Sequence, residues 1–251
     1  MLFDVDGVLI DSPHERAWRE TLEALMATEW REIAPKTRYA PERFTTAVYQ
    51  EVVAGRPRES GARAALERFG VPDAEARAKR YAERKQARLL ELIEAGEVAA
   101  FPDAVRLLLG VKAAGLAVAA ASSSRNAGAL LARIDVEPFA GGRRLPFVRP
   151  GATLLDLFNR SVSGANLPRG KPHPDIFLVA AAALGVAPAR SLVIEDAPAG
   201  VQAAKAGGMS ALGVARLGDA ALLAAAGADR IVTSLDEVRA EELAAGRLAA
   251  A

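Results

Sequence analysis

From Pro102 onward, short apolar runs alternate with stretches of helical character, and this alternation constrains the fold more than any other feature of the chain. The runs are "LAVAAA" (Leu116–Ala121), "SLVI" (Ser191–Ile194), "SALGVA" and "RIVT", each too short for an ordinary helix. Before the first lies "DAVRLLLGVKAAG", a helix closed by a glycine, and between the runs lie a further helix, one beginning near Pro174, another running through Ala204, and one more before "RIVT". Short strands separated by helices are βαβ units, which build a parallel sheet with helices on both faces.

Residues 12–98 follow a different rule. "ERAWRETLEALMATEW", "ERFTTAVYQEVVAG", "SGARAALERFG" and "DAEARAKRYAERKQARLLELIEAG" all place apolar residues three and four apart, the spacing of a helix face. Gly55, Pro57, Gly70 and Pro72 punctuate them. The expectation is an α/β protein with a doubly wound, Rossmann-like parallel sheet built from residues 1–11 and 99–251. A helical module, residues 12–98, is inserted after the first strand. That strand is short, with only Met1 to Phe3 before Asp4, as a trimmed start would leave it, and this is expected to weaken the edge of the sheet. Residues 140–169 fit neither pattern and hold too many glycines and prolines for a long helix. They read as a functional loop, or as a hairpin with a short helix around Leu154–Phe158 at the sheet edge.

Composition narrows the function. A chain of 251 residues with 51% hydrophobic residues can bury a substantial core, and with only 5% aromatics that core must be largely alanine, leucine and valine. Basic and acidic residues, 32 against 31, are interspersed, so no basic stripe points to nucleic acid and no polybasic patch to a membrane. Without cysteine there is no disulfide framework and no thiolate metal site. His14 and His173 alone do not make a multi-histidine zinc site, so any metal must be held mainly by oxygen. No leader-like segment or membrane-length apolar run occurs, which leaves a soluble cytoplasmic protein, monomeric or a small homo-oligomer, as the expectation.

Three apolar runs end in chemically useful residues. Leu2–Phe3 leads to Asp4 and Asp6, Val118–Ala121 to Ser122, Ser123 and Ser124, and Leu192–Ile194 to Glu195 and Asp196. Open parallel sheets bind ligands beyond the carboxyl ends of their strands, so all three clusters are expected at one edge. Carboxylates crowded there repel one another unless a cation relieves them, and an all-oxygen donor set favours Mg²⁺. Magnesium commonly shares its ligation with phosphate oxygens, which serines and a lysine can also hold. Lys171 in "RGKPHPD", between a glycine and two prolines, is the candidate lysine. Each stretch alone also fits a blander reading. "DVDG" fits a turn, "SSSRN" a helix N-cap, "EDAPAG" an acidic helix start, and "KPHP" a surface loop before a helix. Together, in this order and at strand ends, they point to phosphoryl transfer.

With those residues in place, the sequence resembles the haloacid dehalogenase superfamily of phosphotransferases over nearly its whole length. "DVDGV", Ser122, Lys171 and "EDAPAG" look like its four motifs in order, and the helical insert looks like its C1-type cap. The resemblance implies that Asp4 is the nucleophile forming an aspartyl-phosphate and that Asp6 is the general acid and base. It makes Ser122 and Lys171 the holders of the phosphoryl oxygens. Mg²⁺ is implied at Asp4, Asp6 (through its backbone carbonyl), Asp196 and Glu195. Asp6 argues against the dehalogenases proper, which lack this second aspartate, and the motif lacks the alanine of the phosphonate-cleaving branch.

Within the superfamily the chain is most similar to the β-phosphoglucomutase-like subfamily. "HERAW" with His14, "GRPRESGARAAL" with Arg58, and "ERKQ" with Lys85 resemble its cap-entry and specificity segments. His14, Arg58 and Lys85 are therefore candidate substrate contacts, with Ser123, Arg125 and Asn126 from the core; the cap positions also fit an ordinary solvated helix face. The spacing from Asp11 to His14 is shorter than in that subfamily, and the segment before Lys171 is longer. The function implied is Mg²⁺-dependent hydrolysis of a small phosphorylated metabolite such as a sugar phosphate. The alternatives are interconversion of β-glucose 1-phosphate and glucose 6-phosphate, and a non-catalytic phosphate-binding regulator.

Overall fold

In the computed structural model, which describes residues 1–142, 144–162 and 167–248, the apolar runs form one parallel sheet. Its strands are β1 (Leu2–Phe3), β4 (Ala119–Ala120), β5 (Arg160–Ser161), β6 (Leu192–Glu195), β7 (Ser210–Val214) and β8 (Arg230–Val232). They lie in the order β5-β4-β1-β6-β7-β8. The chain therefore builds outward from β1 on one side, then returns to β6 and builds outward on the other. The order reverses at β1, the switch point beside which doubly wound sheets hold their ligands.

Residues two apart share a sheet face. Leu2, Ala119, Val193 and Ala211 pack into one cluster with Ile176, Phe177, Ala180 and Ala181 of α7 (Asp175–Ala183), Val201 and Ala204 of α8 (Pro198–Ala206) and Leu223 of α9 (Ala220–Ala225). The alternate residues Phe3, Ala120, Ile194 and Leu212 are equally buried, so both faces are covered. The short β1 does not weaken a sheet edge, because it is an interior strand paired with β4 and β6.

Residues 140–169 contain no hairpin among the described residues. A 3-10 turn over Leu154–Leu157 leads into β5, which pairs parallel to β4. The parallel register is set by Asn159 N–H on Val118 O, Val162 N–H on Ala120 O, and the Asn159 side-chain oxygen on Val118 N–H. The run 116–121 contributes only two strand residues because Leu116 N–H still closes the preceding helix α5 (Pro102–Ala113) onto Val111 O. The remaining core helices are α6 (Ala127–Leu131) and α10 (Ala240–Ala244).

The chain divides into two compact units, Met1–Asp11 with Ala99–Ala251, and Ser12–Val98. Where the chain leaves and re-enters the first unit, β2 (Ile10–Asp11) and β3 (Ala99–Ala100) pair as a short antiparallel ladder. The second unit is helical, with α1 (His14–Ala27), α2 (Thr46–Val52), α3 (Arg58–Arg68) and α4 (Ala74–Glu94). α1 stops before Trp30 because Thr28 turns its hydroxyl back onto Ala24 O and Trp30 N–H reaches Leu25 O. The stretch 42–55 starts as a helix only after Thr45, whose hydroxyl caps Val48 N–H.

The few aromatics concentrate here: Trp18, Trp30, Phe44, Phe69 and Tyr81 share the second unit's core. Tyr81 of α4 meets the Trp18 ring edge-on at 4.9 Å and donates its buried hydroxyl to Trp18 O at 2.7 Å. Tyr81→Phe keeps the ring but removes this buried hydrogen bond, while Trp18 O keeps its bond within α1, so it should lower the unfolding free energy by about 1 kcal/mol in urea titration. No helix among the described residues is long and apolar enough to cross a membrane.

Candidate active site

Three adjacent strands deliver the predicted residues to one sheet edge. Asp4 follows β1, Ser122 lies just past β4, Glu195 ends β6 and Asp196 comes directly after it. Asp4 N–H donates to Ile194 O at 3.0 Å, which locks the first strand end against β6. Lys171 enters ahead of α7. It is 1% exposed, which excludes the surface-loop reading of "KPHP". Its ammonium lies 2.5 Å from both Asp4 Oδ1 and Glu195 Oε1, and 4.8 Å from the centre of the Phe177 ring.

On the other side of the motif, Ser122 Oγ donates to Asp6 Oδ2 at 3.3 Å and accepts from Ser124 N–H at 3.0 Å. Ser124 in turn accepts from Asn126 N–H, so the serine run orders its own loop before α6 as well as meeting Asp6. Ser123, Arg125 and Asn126 occupy that loop, with Arg125 exposed. "EDAPAG" is likewise a helix start and part of the site at once. Pro198 opens α8, while Glu195 Oε2 accepts from Ala197 N–H at 2.8 Å.

Two glycines make room for the carboxylates. Gly7 has φ +89°, and a Cβ there would overlap the Asp196 carboxylate. A Cβ on Gly200, within α8, would overlap the Glu195 carboxylate. Any side chain at either position displaces an acid from the cluster.

A family model for haloacid dehalogenase-like hydrolases matches residues 1–208. The chain belongs to the haloacid dehalogenase-like hydrolases. Among curated relatives, a β-phosphoglucomutase from Mycobacterium bovis is 36% identical, covering 94% of this chain and 90% of its own length. The CbbY protein of Rhodobacter capsulatus is 29% identical, covering 83% and 82%. Among solved structures, an archaeal β-phosphoglucomutase from Pyrococcus superposes with a TM-score of 0.67 at 27% identity, covering 98% of this chain and 97% of that one. CbbY from Rhodobacter sphaeroides in complex with xylulose-(1,5)bisphosphate gives a TM-score of 0.61 at 25% identity, covering 94% of each chain. The haloacid dehalogenase-like chain is therefore an enzyme of this family, in fold and in sequence.

The electrostatics of this hydrolase's site suit a cation. Burial pushes Asp4 up to about 7, even though Lys171 pulls the other way. Burial, with Glu195 beside it, also pushes Asp196 well above the usual carboxylate range. Burial opposes the charge on Lys171, but Asp4 and Glu195 outweigh it and raise its pKa above that of a free lysine. One ammonium thus faces three acids. Asp4, Glu195 and Asp196 each bring a carboxylate oxygen within 4.8 Å of the others, the donor set of a hard divalent ion. The Asp6 side chain stands outside that trio, on Ser122.

The helical unit brings two of its three predicted residues together. Lys85 is buried, with its ammonium 3.0 Å from His14 Nδ1 and 4.8 Å from the centre of the Trp18 ring. Arg58 is the first residue of α3. The sequence reading overlooked Gly200 and the Glu195–Lys171 pairing. The glycine's i+5 distance from Glu195, at the first turn of a strand-to-helix junction, was the available signal.

The raised acids set a pH response. Folded Asp4 keeps its proton to about pH 7, whereas an unfolded aspartate loses it near pH 4. The folded state therefore holds more protons in that window, and metal-free stability falls as pH rises through it. A cation held by this trio would bind the acids in their ionised form, so the rise in Tm on adding MgCl2 should be larger at about pH 7.5 than at about pH 5. Differential scanning fluorimetry checks this; equal shifts at both pH values would contradict a carboxylate-built cation site.

Proposed function

We propose that this enzyme hydrolyses a small phosphomonoester, such as a sugar phosphate, through a phosphoryl group carried transiently on Asp4. The observation that supports this most is the buried Lys171 ammonium 2.5 Å from Asp4 Oδ1, with Asp6 held on Ser122 at the neighbouring strand end. An Asp4 oxygen attacks phosphorus and the bond from phosphorus to the ester oxygen breaks. Asp6 donates its proton to that departing oxygen. Asp6 then takes a proton from water, whose oxygen attacks phosphorus, so that inorganic phosphate leaves and Asp4 is regenerated.

Lys171 and Ser122 hold the equatorial phosphoryl oxygens, where positioning and charge complementarity account for most of the acceleration. Glu195 keeps Lys171 aimed and charged. Asp4, Asp196 and the Asp6 carbonyl, with Glu195 alongside, would hold Mg²⁺, which would supply positive charge against the phosphoryl oxygens. Ser123, Arg125 and Asn126, and His14, Arg58 and Lys85 of the helical unit, are assigned to substrate binding within the same proposal.

A second reading has its own support. The 36% identical relative that spans nearly the whole chain is named a β-phosphoglucomutase. A mutase hands the phosphoryl group back to a sugar hydroxyl, and only the lifetime of the phosphorylated aspartate and the access of water separate it from a phosphatase.

Asp4→Asn should lower Mg²⁺-dependent phosphate release by more than about 1,000-fold, as expected when a nucleophile is removed. Unchanged turnover would overturn the assignment. To separate the two readings, the protein is incubated with Mg²⁺, β-glucose 1-phosphate and a trace of the 1,6-bisphosphate. Release of inorganic phosphate supports hydrolysis; formation of glucose 6-phosphate without it identifies a mutase.

A further inference from the structure

The loop that carries Asp6 is held from outside the four motifs. After Asp6 the chain has a soft point: Gly7 has φ +89° and no side chain, because the Asp196 carboxylate occupies that space. The loop's own bonds close it on one side, with Leu9 and Ile10 N–H both on Val5 O at 2.9 Å and Gly7 N–H on Ile10 O at 2.8 Å. Its outward carbonyls are taken by Arg216, two residues past β7. Arg216 Nε donates to Gly7 O at 3.0 Å and Nη2 to Val8 O at 3.1 Å.

The guanidinium is itself fixed. It forms a bidentate pair with Asp103, Nη1 to Oδ2 at 3.0 Å and Nη2 to Oδ1 at 3.1 Å, and its Cζ lies 3.8 Å from the centre of the Phe101 ring. The two side chains are only 14% and 8% exposed. Asp103 also accepts from Ser234 Oγ, Leu235 N–H and Ala104 N–H, at 3.0, 2.7 and 2.9 Å. Few surface ion pairs are so constrained, and a buried pair is by itself poor evidence of added stability. What distinguishes this one is its load: two consecutive carbonyls directly after the acid–base aspartate. A planar five-donor fork can hold two carbonyls and a carboxylate together, which a lysine cannot.

We propose that Arg216 is a positioning residue for Asp6: anchored by Asp103 and Phe101, it fixes the Gly7 and Val8 carbonyls and so holds the Asp6 carboxyl where the leaving oxygen departs. This rests on the acid–base role of Asp6 given above. A positioned acid matters most when the leaving group is poor, so misplacing it should discriminate between related aryl phosphates whose leaving groups differ in acidity.

The test compares kcat/KM for phenyl phosphate and p-nitrophenyl phosphate, whose phenols differ in acidity, in the wild type, Arg216→Met, Asp103→Asn and Asp6→Asn. For Arg216→Met, kcat/KM should fall about 100-fold with phenyl phosphate and less than about 10-fold with p-nitrophenyl phosphate, within the range of a general acid's contribution. Asp103→Asn, which keeps the side-chain shape, should show the same split at smaller size and covers the case that Arg216→Met does not fold. In Asp103→Asn the Leu9 and Ile10 amides should also exchange hydrogen faster, a readout independent of turnover.

Equal losses on both substrates, or none, in a folded Arg216→Met or Asp103→Asn while Asp6→Asn shows the split would overturn the positioning role alone. Unchanged exchange at Leu9 and Ile10 would do the same. An Asp6→Asn enzyme without the split would overturn the acid–base reading and this inference with it.

Discussion

Lys171, buried between Asp4 and Glu195, is the interaction on which the rest of the α/β unit's site depends. A carboxylate at the end of an interior strand is costly to bury, and three of them within 4.8 Å are more so. One buried ammonium can answer only part of the charge that the three acids carry when ionised, which is why burial raises Asp4 and Asp196 and why the trio suits a hard cation. The fold then serves this arrangement. Placing β1 beside β6 brings Asp4 to Glu195, Phe177 of α7 covers the lysine, and Gly200 lets the Glu195 carboxylate settle against α8.

The site also shows why a motif and a local structural role are not rivals. Ser122 accepts a backbone N–H of its own loop and still reaches Asp6. Glu195 binds the N–H at the start of α8 with one oxygen and Lys171 with the other. The turn and helix-start readings of these stretches describe real bonds, whereas the serines order the loop ahead of α6 without capping it, since its N-cap Asn126 makes no side-chain cap bond. These bonds are the means by which the chain holds these side chains rigidly at the ends of secondary elements.

Much of the fold was legible because its signals are local. Each apolar run from 191 onward contains a strand, and the four helical stretches of residues 12–98 each contain a helix, because periodic burial writes itself into sequence. The misreadings arose where a few hydrogen bonds decided the outcome. Thr28 ends α1 before Trp30, Leu116 N–H draws part of an apolar run into a helix terminus, and Asn159 sets β5 parallel where a hairpin was an open reading. Such bonds depend on which partner lies opposite, and spacing does not record that.

By itself the sequence determined the chemistry available: acids, serines and one proline-flanked lysine at strand ends, with no thiolate and almost no imidazole to compete for a metal. It also determined the division into a helical stretch and an α/β stretch, because hydrophobic periods differ between the two. The tertiary structure decided which strand ends are neighbours, that Lys171 is buried, and that Arg216 and Asp103, 113 residues apart in sequence, close on the carbonyls after Asp6. The physical reason is that burial and pairing between residues distant in sequence are properties of strand order and packing. Neither belongs to any one segment of the chain, so neither could be read before the sheet was assembled.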